Sequence, residues 1–141
     1  MAAVNRKRVL LGALAGGVAW NLWSFGLNML WLGKYYEAGQ KSGQFLMEPR
    51  YPFFPGQWIL MLFVCSFFLA SLYARVRISC GPGPKTALQL GAVVGFIAGF
   101  PIPFANATWS VLPRVVPLGW MLEMWVGAIL ATLVAGWFYQ E

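Results

Sequence analysis

Four long apolar runs divide this chain, and almost all of its charged residues lie between them. The first run, residues 9–32, carries no charge. The second is residues 57–74, "QWILMLFVCSFFLASLYA". The third opens near Thr86 and continues through "ALQLGAVVGFIAGFPIPFANATWS" to residue 110, and the fourth covers residues 118–139. About 20 mainly apolar residues, rising about 1.5 Å each, cross a bilayer core. The pattern therefore predicts four transmembrane helices, because a helix satisfies its own backbone groups in lipid. The connection "VLPRVVP" is short, which makes the last two helices antiparallel neighbours. The expectation is an all-α integral membrane protein, one transmembrane domain over residues 1–141, built as an antiparallel four-helix bundle. Pro101 and Pro103 interrupt the third run. Proline removes a donor and clashes with the preceding turn, so helix three is expected to kink at 99–103.

Composition agrees with lipid as the main solvent. Hydrophobic residues make up 60% of the chain and charged residues 10%, where soluble domains carry about 25% charge. There is no histidine, which excludes His-ligated haem, the usual zinc and copper sites and a His general base. Cys65 and Cys80 form no CxxC motif, and no metal site is expected. With a single carboxylate inside a span, acid–base pairs are missing and no enzyme is expected. The net charge of +6 fits cationic loops beside anionic headgroups. No basic domain is available for nucleic acid.

The cations also predict an orientation. Arg6, Lys7, Arg8, Arg75, Arg77 and Lys85 lie on one side, and Lys34, Lys41, Arg50 and Arg114 on the other. The bias places both termini in the cytoplasm and the loop 33–56 outside. The opening "MAAVNRKRVLLGALAGGVAW" reads as a retained first helix, since its apolar run continues too far for a signal peptide. Trp31, Trp58, Trp109 and Trp120 on one side, with Trp137 and Tyr139 on the other, read as interfacial anchors. In the loop, the start reads as a short amphipathic helix. Phe45, Leu46, Met47, Tyr51, Phe53 and Phe54 are too apolar for a free loop, and so dip into the interface or cover another protein.

Small residues recur at four-residue spacing: Gly12 and Gly16; Gly91, Gly95 and Gly99; Gly127 and Ala131. Such stripes let helix backbones approach closely, and in lipid that packing drives association. Asn21, Ser24 and Asn28 continue the first stripe on one face. They serve either as interhelical glue or as a polar ligand site. On either reading the three face the bundle interior, with at least one asparagine expected to bond to another helix, because an unpaired amide in hydrocarbon is costly. Glu123 is a functional candidate as an intramembrane acid, with an ion pair to Arg114 as the plainer alternative. "PIPFANATW" points to a cavity, because a broken helix with Asn106 and Thr108 behind two prolines needs protein or water beside it. Asn106-Ala107-Thr108 also matches the glycosylation pattern, but lies too near the membrane to be reached.

Several segments give the chain a family likeness: "LLGALAGGVAWNLWSFGLN", the exit "LWLGKYY", the "YAR" end of helix two and "GPGPKTALQLG". In these it resembles small, uncharacterised four-helix bacterial inner-membrane proteins. The resemblance implies an inner-membrane location and assigns no activity. The residues themselves favour a non-catalytic interaction protein, partnered by membrane lipids and by other membrane subunits or its own copies. One alternative is a small-solute or ion transporter using Glu123 and the Asn21/Asn28 stripe. A second is a binder of lipid, quinone or pigment between aromatic-rich helices. No cofactor is expected, a bound lipid or quinone being the exception.

Overall fold

A computed structural model describes residues 4–139. Among the described residues the chain is all-helical, with four helices long and apolar enough to span a membrane: Arg6–Lys41, Phe54–Cys80, Pro84–Trp109 and Val115–Phe138. The first contains α1 (Arg6–Gly26), a π-helical stretch (Leu27–Leu32) and α2 (Gly33–Lys41) without interruption. Asn5 caps its start, its side chain accepting from the Arg8 N–H at 3.2 Å. The helix expected at the start of the loop 33–56 is present. It continues the first span, however, because no proline stands at the junction and Gly33 itself keeps a right-handed backbone, φ −52° and ψ −45°.

The second long helix, α3 (Phe54–Cys80), opens with Pro55 in its first turn, where a missing N–H costs nothing. It runs past the apolar segment to include Arg75 and Arg77, then stops at Gly81. Gly81 and Gly83 have φ of 85° and 130°, a reversal that side chains with a Cβ resist. α4 (Pro84–Gly99) and α5 (Pro101–Trp109) meet at Phe100, whose backbone remains right-handed at φ −93° and ψ −45°. The Phe100 N–H still reaches Phe96 at 3.0 Å and the Phe104 N–H reaches Phe100 at 2.9 Å.

The last helix, α6 (Val115–Phe138), is the hub, packing on α1, α3, α4 and α5. Its neighbours meet it through the small-residue stripes. A Cβ added to Gly12 would stand 2.9 Å from the Ala135 carbonyl oxygen, and one on Gly16 2.6 Å from that of Ala131. On the other side, a Cβ on Gly91 would stand 2.7 Å from Ile129 Cα, on Gly95 2.9 Å from Ala128 Cβ, and on Gly99 2.9 Å from Met124 Cβ. Gly127 is filled by the Trp20 indole. Ala131 is fully buried, as is Ser66, whose hydroxyl donates to the Ala13 carbonyl at 2.8 Å and ties α3 to α1.

At one end of the bundle, Tyr139 is 4% exposed. Its hydroxyl accepts from the Asn5 N–H at 3.0 Å, its carbonyl accepts from Arg77 at 2.8 Å, and its ring lies edge-on to Tyr73. It is a core residue and not the interfacial anchor the sequence suggested, because its phenol finds both a packed pocket and a donor. Trp137 is exposed instead. The outer faces are covered with exposed Leu, Ile, Val and Phe. A lipid-facing surface looks like this, since hydrocarbon gives no incentive to bury apolar groups.

Candidate functional site

The packing loosens above Gly16. Trp20 fills the next step between α1 and α6, 2% exposed, and its indole donates to the Glu123 carbonyl at 3.2 Å. Trp23 does the same to the Leu122 carbonyl at 3.1 Å. Two large donors thus wedge α1 away from α6 while holding it in register.

One turn beyond Trp20, the Ser24 hydroxyl donates to Oε1 of Glu123. The Trp58 indole, from the first turns of α3, donates to the same oxygen at 3.2 Å and lies 3.4 Å from Ser24 Oγ. Glu123 is 4% exposed, so this carboxyl group joins three helices in the interior. Among the described residues, none donates a hydrogen bond to its other oxygen, Oε2. Arg114 takes no part. It is exposed at the start of α6, nine residues from Glu123, or about 13 Å along a helix. The ion pair contemplated between them is not formed, and the one salt bridge among the described residues is Lys41–Glu37 at 2.6 Å.

A second polar chain runs parallel to the first. The Trp120 indole donates to the Tyr36 hydroxyl at 2.9 Å, and that hydroxyl donates to Asn28 Oδ1 at 2.7 Å. The Asn28 amide then donates to the Ser24 carbonyl at 2.9 Å. Asn28 lies in the π-helical stretch, and Tyr36 one helical segment later reaches back over it. Asn21 donates to the Gly17 carbonyl at 2.9 Å and approaches the Ile59 carbonyl of α3 only at 3.5 Å, the limit of a hydrogen bond. The asparagines are therefore satisfied mainly within their own helix. The strong bond from this stripe to another helix belongs to Ser24.

These groups lie along one wall of an open cavity of about 1200 Å³ between α1, the first turns of α3, the α4–α5 junction and α6. The remaining wall is almost wholly apolar, from Val18, Leu22, Phe25, Ile59, Phe63, Ile102 and Met124 among others. Phe45 also lines it, its ring edge-on to Tyr36 at 5.7 Å and seated on Gly39.

The structure thus gathers Asn21, Ser24, Asn28 and Glu123 at one cavity. It does not bring Asn106 or Thr108 there. Thr108 is exposed and its hydroxyl closes on the Phe104 carbonyl at 2.9 Å. Asn106 is half-buried outside the cavity: it shares a helix face with Ile102 and Pro103 but stands one turn farther along α5. Pro103, buried on the cavity wall, is the part of "PIPFANATW" that belongs to the site. Trp58, Trp120 and Tyr36 are the site residues that sequence reasoning missed. The available signal was their polar atoms, since a buried indole or phenol needs a partner. Among the described residues, no group of three or more His, Cys, Asp or Glu is placed to hold a metal. No protein-family model, curated protein or solved structure matches this chain.

Proposed function

We propose that this protein is a membrane-embedded binding protein that holds an amphipathic, chain-bearing molecule between α1, α3, α5 and α6. The cavity carries the reading: about 1200 Å³, mostly apolar, with its polar groups on the wall formed by Glu123, Ser24, the two asparagines and their aromatic partners. Typical small-molecule pockets are about 300–1,000 Å³. This one has room for a headgroup and hydrocarbon together. The reading replaces the complex subunit or homo-oligomer that the composition alone favours.

In this proposal the bundle is antiparallel and bent at Pro101/Pro103, which swings α5 outward and leaves the space beside Pro103. The protein lies in a bacterial inner membrane with both termini in the cytoplasm, a placement supported by the distribution of Arg and Lys. Cysteines introduced singly at positions 44 and 82 test the orientation. An impermeant thiol reagent applied to intact cells is expected to label the first, and labelling of the second would reverse the topology.

The binding reading is tested with Asn21→Ala combined with Asn28→Ala. Both amides bond chiefly to carbonyls of their own helix, and cross-helix polar bonds in membranes average about 0.6 kcal/mol. The double variant is therefore expected to keep the thermal stability of the parent in mild detergent within a few degrees. It is also expected to lose a small molecule that co-purifies with the parent, measured by mass spectrometry of the extracted ligand. A variant that loses stability, in a protein that carries no small molecule, would make the stripe glue and remove the binding role.

A further inference from the structure

We infer that the cavity wall at Glu123 receives a primary ammonium group attached to hydrocarbon, with Oε2 of Glu123 as its principal acceptor. The inference rests on the binding role proposed above and specifies the ligand's chemistry.

The argument begins with which hydrogen-bonding groups remain unused. The donors on this wall are mostly committed to the protein. Ser24 and Trp58 donate to Glu123 Oε1, Trp120 donates to Tyr36, and Tyr36 donates to Asn28. Each asparagine amide already gives one N–H to its own helix, and the second N–H of Asn28 is the donor left over. The unused capacity is on acceptors: Glu123 Oε2, Asn21 Oδ1 and the second lone pair of Asn28 Oδ1. A wall that offers acceptors selects a molecule that brings donors.

Charge narrows the choice further. Glu123 is the acidic residue of the cavity wall, and no Lys or Arg lines the cavity. An acid buried in a membrane protein without a cationic partner is costly. A cation supplied by the ligand answers that cost. An N–H on the ligand's nitrogen can donate to the free Oε2 of Glu123, which a quaternary ammonium cannot do. The apolar length of the cavity then requires hydrocarbon on the nitrogen-bearing group. A single-chain amine and a lipid with an ethanolamine headgroup share this chemistry.

The test titrates the full-length protein in non-ionic detergent near neutral pH with dodecylammonium, dodecyltrimethylammonium and dodecanol, following tryptophan fluorescence. Dodecylammonium is expected to bind about tenfold or more tightly than the other two, as a charge-assisted hydrogen bond requires. Glu123→Gln keeps the shape and an acceptor for Ser24 and Trp58. It is expected to abolish that preference while leaving dodecanol unchanged. Should E123Q fail to fold, Asn21→Leu is expected to weaken dodecylammonium severalfold without affecting dodecanol. Displacement of bound dodecylammonium by phosphatidylethanolamine, with none by phosphatidylcholine, would identify a bilayer lipid as the source, and no displacement would identify a single-chain amine. Both results support the ammonium chemistry. Equal binding of dodecanol or of the trimethyl compound overturns this inference and leaves the amphiphile-binding role standing. Failure of all three probes to bind overturns both.

Discussion

Gly16→Leu is expected to prevent assembly of the bundle, with a loss of about 3 kcal/mol or more. At this position a Cβ alone would meet the Ala131 carbonyl oxygen at 2.6 Å and Ser66 Oγ at 2.7 Å. Ala131 is backbone of the central helix and cannot swing aside. Ser66 is fully buried and bonded to the Ala13 carbonyl, so moving it breaks the tie between α1 and α3. A leucine must therefore separate three helices at once. In lipid no hydrophobic force draws them back, because a separated helix is as well solvated as a packed one. Gly26→Leu in the same helix is the control. Nothing lies within 4 Å of a Cβ there, so stability is expected to stay within about 0.5 kcal/mol. Thermal unfolding in a single detergent measures both. Equal losses at the two positions would mean that leucine harms this helix for reasons unrelated to its contacts.

Trp20→Ala is expected to cost about 3–5 kcal/mol, the range for deleting a buried aromatic side chain. Trp20 is 2% exposed, donates to the Glu123 carbonyl and occupies the space that Gly127 leaves empty. Gly127→Leu is expected to be similarly harmful, since its first carbon would fall on the indole. The two changes concern one volume, so they should not add. With Trp20→Ala in place, the leucine at 127 enters the vacated space, and the double variant is expected to be more stable than Gly127→Leu alone. A double-mutant cycle by thermal or denaturant unfolding reads the coupling. Strict additivity would show that the indole and the glycine do not share a site. The same pair matters for binding, because Trp20 sets the α1–α6 distance one turn below Ser24 and Glu123. Trp20→Ala should therefore also loosen the carboxyl group's contacts with Ser24 and Trp58.

The two halves of α1 divide the work. Below Trp20, Gly12 and Gly16 bring α1 against α6 with no space between them. Above it, the wedge formed by Trp20 and Trp23 opens the bundle, and the cavity occupies the length from Val18 to Met29. The π-helical stretch lies at the upper end of that length, where Asn28 and Tyr36 meet. Small residues thus secure the fold, and large aromatic donors hold open the space a ligand would need.

Much of this was legible in the sequence, because the bilayer imposes simple demands. A span must be long, apolar and hydrogen-bonded within itself, so four spanning helices could be read from four runs. The glycines and alanines at four-residue spacing marked the surfaces of closest approach, since no other residue lets backbones come so near. Glu123 stood out because an acid inside an apolar run is rare. What the sequence did not determine was the rotation of each helix. A residue in a helix is turned about 100° from the next, and here both the interior and the surrounding lipid are apolar, so little amphipathic contrast marks the inward face. For that reason Tyr139 was placed at the interface when it is core, and the sequence could not show that the cavity stops at Pro103, a turn short of Asn106 and Thr108. Tertiary structure alone decided that Ser24, more than Asn21 or Asn28, bonds across to Glu123, and that Trp58 of α3 shares the same oxygen. These partners are 99 and 65 residues from Glu123 in the chain. They meet only because close packing at the glycines fixes how the helices are turned.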